Sequence, residues 1–144
     1  MTYWYQTPNL KNRLSKESGV MAKKHPQFKL MEGDSQLDFA KKGSLFWAGK
    51  LRTNFGNVFN VAVVYPENYP YGEIKAFVME FMKEKNSKHM YMDGHLCLYS
   101  NTHDGGKSQG VGMETTAPTI VAWTAAWLNA WEVYSRTGRW PGRE

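Results

Sequence analysis

One thiol dominates the chemistry available to this chain. Cys97 is the single cysteine of 144 residues and lies in the run Asp93-Gly94-His95-Leu96-Cys97-Leu98-Tyr99. With no second cysteine, an intramolecular disulfide is impossible, and the thiol is either an inert packing group or a nucleophile. Asp93-Gly94 is a turn dipeptide, so Cys97 is expected just after a turn, beside the polar, glycine-rich stretch from Ser100 to Gly112 and within reach of solvent. His89 and His95 lie eight and two residues upstream. An imidazole can lower a thiol pKa or donate a hydrogen bond to a developing oxyanion. In an extended segment His95 and Cys97 would point to the same side. His103 sits in the glycine-rich stretch with Asp104. His89, His95, Cys97 and His103 have the ligand types of a zinc site, but no paired-cysteine spacing supports one, and the sequence implies neither a metal nor a cofactor.

The elements that must position this thiol can be read from caps and periodicity. Thr7-Pro8 opens a helix, because threonine caps well and proline is tolerated in the first turn. Leu10, Leu14 and Met21 form its apolar stripe, and His25-Pro26 ends it. Four strand candidates follow: Gln27 to Met31, Ser44 to Leu51, Val58 to Tyr65 and Ile74 to Phe81. The third is the clearest, with Phe59, Val61, Val63 and Tyr65 on one side. In the fourth, Ile74, Ala76, Val78 and Glu80 oppose Lys75, Phe77, Met79 and Phe81. Glu32 to Gly43 reads as a polar connection, Asn54 to Asn57 as a turn, and Pro66 to Tyr71 as a turn rich in proline and tyrosine. After the glycine-rich loop, Thr115-Thr116 and Pro118 start a second helix. Ile120, Trp123, Trp127, Trp131 and Tyr134 recur on it at helical spacing, and Gly138 and Pro141 end it. The aromatic stripe is a packing face. The order predicts an α+β fold: helix, four-stranded antiparallel meander, loop and helix, with the helices covering the sheet, in a single domain spanning residues 1–144.

Composition narrows the function classes. Aromatics make up 15% and charged residues 22%, which fits a packed core and not a disordered chain. No run of about eighteen apolar residues suggests a membrane span, and the first residues lack a basic-then-apolar leader, so a cytoplasmic protein without a membrane partner is expected. The net charge is +5, with Lys11, Arg13, Lys16, Lys23, Lys24, Lys29, Lys41 and Lys42 concentrated toward the N-terminus. These positives are not interleaved with aromatics as in an RNA-binding pattern, so a solvated basic helix face or docking onto an acidic protein is favoured over nucleic acid.

Taken together, Trp47-Ala48-Gly49, the strand Phe59 to Tyr65, Tyr65-Pro66-Glu67-Asn68-Tyr69-Pro70 and Gly94-His95-Leu96-Cys97-Leu98 resemble the ubiquitin-conjugating enzyme family. The C-terminal part, with Trp127-Leu128, Trp131-Glu132 and Thr137-Gly138-Arg139-Trp140-Pro141-Gly142, looks more like bacterial relatives of that family. These occur in antiphage operons, including CBASS and ubiquitin-like conjugation systems. The resemblance implies a ubiquitin-conjugating (UBC-like) fold and a thioester-forming transferase. Cys97 would accept the C-terminal acyl group of a modifier from an activating enzyme and pass it to an acceptor amine on a target protein. The modifier would be a ubiquitin-like protein or, in the CBASS case, the operon's nucleotidyltransferase. The resemblance also gives the basic first helix a use, as a meeting surface for the activating enzyme. Eukaryotic members carry His-Pro-Asn upstream of the cysteine. At the usual spacing the asparagine position falls on His89, after Ser87-Lys88, which makes His89 the candidate for oxyanion or loop support. His25-Pro26 only mimics that motif. A non-catalytic binding module of the same fold and a cysteine hydrolase using His89 or His95 are the alternatives.

Overall fold

A computed structural model of the chain describes residues 3–83, 88–98 and 113–141. The expected glycine-rich loop, Ser100 to Gly112, lies outside these residues, and so does His103. Helix α1 spans Pro8–Lys24. Its cap Thr7 is extended, and its hydroxyl donates to the Trp4 carbonyl at 2.9 Å and accepts no bond from the helix amides. His25 closes the helix, its N–H donating to Met21 O at 2.8 Å. Lys11, Lys16, Lys23 and Lys24 face solvent as expected. Arg13 does not: it turns inward to Tyr69 Oη at 3.1 Å and the Thr115 carbonyl at 3.2 Å.

The four strands form an antiparallel meander in the order β1-β2-β3-β4, comprising Lys29–Glu32, Leu45–Arg52, Val58–Val64 and Lys75–Val78. Register pairs Trp47 with Val63 and Val63 with Ala76, so alternate residues of three strands share one face. On that face Leu45, Trp47, Phe59, Val61, Val63, Ala76 and Val78 pack under the helices. Val63 is wholly buried, and such a side chain contributes about 1.5–3 kcal/mol. Helix α2, Ala117–Thr137, lies against β2, β3 and β4, and α1 packs beside it. Its inner face is Ile120, Val121, Thr124, Trp127 and Leu128, with Trp123 and Trp131 half-buried. Gly138 takes φ +78° and caps the helix through Tyr134 O. No described helix is long and apolar enough to cross a membrane.

Two readings of the sequence need correction. The sheet is covered on both faces, because the connection after β1 is not simply polar. Leu37, Phe39 and Ala40 fold under Phe46, Ala62, Val64 and Phe77, with Phe39 edge-on to Phe46 at 5.2 Å. Gly33 hinges this loop: its N–H donates to Ser44 O at 2.7 Å, and a Cβ there would lie 2.3 Å from the Lys41 carbonyl. The fourth strand also stops at Val78, not Phe81. A 3-10 turn over Met79–Phe81 changes the side-chain period from two to three, which carries Phe81 to the helix side against Trp131 at 4.7 Å. Glu80 then folds back and accepts the Asn60 N–H at 2.9 Å.

Candidate functional site

The thiol stands on a β-hairpin that extends the β4 edge. Tyr91 N–H donates to His95 O at 2.9 Å, Met90 bridges Leu96, and Cys97 N–H donates to His89 O at 2.8 Å. The loop between Tyr91 and His95 is Met92-Asp93-Gly94, closed by Gly94 N–H to Tyr91 O at 2.9 Å. Gly94 has φ +96°, the position where a three-residue hairpin loop calls for glycine. Leu96 N–H donates to Ala76 O at 2.9 Å, and His95 bridges Phe77, so the hairpin is fastened to the sheet. Leu96 is buried in the helix-side core, and Met90 and Leu98 pack against it. By strand alternation Tyr91, His95 and Cys97 occupy the opposite face. Cys97 is partly exposed.

His95 is buried, with a carboxylate on either side of its ring. Its Nδ1 bonds the Asp93 carboxylate, and Nε2 faces a Glu73 oxygen at 3.3 Å without hydrogen-bond alignment. Its ring stacks on Tyr91 with centroids 4.2 Å apart and planes within 20°. Asp93 also accepts the His95 N–H at 3.0 Å and pairs with Lys75 at 3.0 Å. Burial works to raise the Asp93 pKa, but the His95 backbone and ring and the Lys75 ammonium overcome it and hold the carboxyl at about 2. Tyr91 shares this face with Cys97; the influence of the Cys97 side chain first, then burial and the Glu73 charge, pushes the phenol up to about 12. The phenol is therefore a protonated donor at neutral pH.

His89 is brought beside Cys97 through the backbone. It adopts φ +63°, an uncommon conformation for a residue other than glycine, and its carbonyl is taken by Cys97 N–H. Its ring turns to Trp140, edge-on with centroids 4.6 Å apart, and Trp140 leans on Trp127 at 5.4 Å and Tyr134 at 5.8 Å. His95 shares a strand and a face with Cys97, as the spacing predicts, yet both its nitrogens are directed to carboxylates. Among the described residues no group of three or more histidine, cysteine or acidic side chains is arranged to hold a metal ion. Reading the sequence alone missed Tyr91, Glu73 and Lys75. The Asp93-Gly94 turn carried the signal for Tyr91, since a hairpin across it sets an aromatic opposite His95.

A family model described as type II CBASS E2 protein matches residues 20–144, which include all four strands, the Cys97 hairpin and α2. No curated protein matches the chain.

Proposed function

Because this chain belongs to the type II CBASS E2 family, bacterial E2-like proteins of antiphage operons, we propose that Cys97 is its acyl-carrying nucleophile. The Cys97 thiolate attacks the activated C-terminal carbonyl of a modifier presented by an activating enzyme. A C–S bond to Cys97 forms, the bond joining the acyl carbon to the activating enzyme's group breaks, and that group leaves with the electron pair. An acceptor amine then attacks the thioester: a C–N bond forms, the C–S bond breaks, the electron pair returns to Sγ, and the amine proton passes to solvent. The modifier is a ubiquitin-like protein or the operon nucleotidyltransferase. The observation that carries this reading is a partly exposed thiol on a hairpin locked to the sheet, within the residues the family model matches. Such a thiol can meet a polypeptide terminus while its backbone stays fixed.

The test is incubation with the activating enzyme, ATP and candidate modifier, followed by a non-reducing gel. An adduct removed by thiol reductant and abolished by Cys97→Ala is expected. Release of free modifier with no adduct would instead favour a hydrolase, and tight binding with no adduct a binding module. The bond of His95 Nδ1 to Asp93, with the Glu73 carboxylate 3.3 Å from Nε2, speaks against a hydrolase pairing of His95 with Cys97.

His89 is proposed to support the oxyanion or to brace the thiol's loop. The carbonyl that holds Cys97 N–H and the ring seated on Trp140 fit a brace, while a ring N–H would supply the oxyanion donor. Loss of an oxyanion donor slows chemistry on the order of 100-fold. His89→Ala is therefore expected to slow single-turnover discharge by up to that factor without unfolding the protein. Discharge at the wild-type rate would remove His89 from the mechanism.

A further inference from the structure

We propose that Tyr91 is the hydrogen-bond donor to the reacting sulfur, held over Cys97 by the clamped His95 ring. The inference rests on the reading of Cys97 as acyl carrier and deepens it. Hairpin register places Tyr91 directly opposite His95, through the 2.9 Å bond from Tyr91 N–H to His95 O. Cys97 is two residues further along the facing strand. Residues in that diagonal relation lie within reach of an aromatic side chain on the same face. The stack at 4.2 Å fixes the plane of the phenol, and the imidazole under it is fixed in turn by its bond to Asp93 and by the edge of Phe77 at 6.2 Å. His95 is thus a platform, and the group it presents to the sulfur is a hydroxyl.

The chemistry assigns that hydroxyl a use at both steps. Before loading, O–H donation to the thiolate stabilises the nucleophile. During discharge, as the C–S bond breaks and the electron pair returns to Sγ, the same donor stabilises the leaving thiolate. Tyr91 keeps its proton throughout, and the proton of the attacking amine leaves to solvent. A phenol pushed up to about 12 is fit for a donor that does not ionise in the working range.

The test is the pH dependence of Cys97 alkylation by iodoacetamide in the full chain, which needs no partner protein. Tyr91→Phe keeps the ring on His95 and removes only the hydroxyl. The alkylation midpoint is expected to move up by about one pH unit, with neutral-pH alkylation slowed up to about tenfold. Tyr91→Leu removes the ring as well and is expected to shift the midpoint equally. A midpoint unchanged in Tyr91→Phe overturns the proposal, and a shift confined to Tyr91→Leu assigns the effect to ring packing and overturns it too. Where a thioester forms, discharge of Tyr91→Phe is expected to slow by a similar factor. If the midpoint shifts in Tyr91→Phe yet wild-type protein never forms an adduct, the hydrogen bond is upheld and the acyl-carrier reading fails.

Discussion

Glu17→Ala is expected to destabilise the protein by about 3–5 kcal/mol in urea denaturation at neutral pH. Glu17 is only 3% exposed, although it lies on the most basic helix of the chain. One carboxylate oxygen accepts from Tyr65 Oη at 2.9 Å and from Ala117 N–H, the first amide of α2, at 2.9 Å. The other accepts from Tyr69 Oη and faces Arg13 Nε at 3.5 Å. A single side chain therefore joins α1, the tyrosine-proline turn and the start of α2. The positive end of the α2 dipole adds to its hold. Alanine would leave the Tyr65 hydroxyl and the Ala117 amide without their acceptor, each costing about 1–3 kcal/mol when unpaired, while Tyr69 keeps the Thr115 carbonyl at 3.3 Å. Alkaline titration gives a second signature. Burial first, then Glu17, raises the Tyr65 and Tyr69 phenols above their ordinary value. Their contribution is complete below about pH 10 and is lost as pH climbs toward the raised values, because the unfolded chain ionises first. Removing Glu17 takes away one cause of the rise, so the stability gap between wild type and Glu17→Ala should narrow above pH 10. A loss below about 1 kcal/mol at neutral pH would mean the network contributes little.

The frame of this protein was legible because its boundaries are written in local chemistry. Thr7-Pro8 and His25-Pro26 bracket α1, Gly138 ends α2, and the alternation from Phe59 to Tyr65 fixes which face of β3 meets the helices. What escaped is what depends on distant partners. Glu17 reads as one more solvated charge on a polar helix, and only Tyr65, Tyr69 and Ala117, far along the chain, make its burial tolerable. Phe39 looks like an isolated apolar residue in a polar connection until Gly33 folds that connection under the sheet. Phe81 follows the period of a strand on paper, but the Trp127 and Trp131 rings draw it to the other face. At the site, residue type was enough to single out Cys97. The place of Tyr91 on the thiol's face was harder to see, because its pairing with His95 exists only once a three-residue loop sets the hairpin register.

That hairpin is anchored at its far end by α2, and Trp127→Ala should show the coupling. Trp127 is 6% exposed, packed against Phe81 at 6.0 Å and Trp140 at 5.4 Å. Truncating a buried tryptophan costs about 3–5 kcal/mol. Its Nε1 has no hydrogen-bond partner among the described residues, so the native state already bears that desolvation cost. Trp127→Phe removes the unpaired donor along with part of the ring, and its loss should be correspondingly smaller, about 1–2 kcal/mol. The position of the cavity matters more than its size. Trp140 would lose the surface it leans on, and the His89 ring rests on Trp140. The His89 carbonyl in turn holds the Cys97 amide. Leu128→Ala, wholly buried one residue away, should cost a similar 2–5 kcal/mol without touching this relay. Hydrogen exchange under native conditions should therefore show the Cys97 amide opening faster in Trp127→Ala than in a Leu128→Ala protein of matched stability. Equal protection in the two would mean that the hairpin holds the thiol without help from the C-terminal helix.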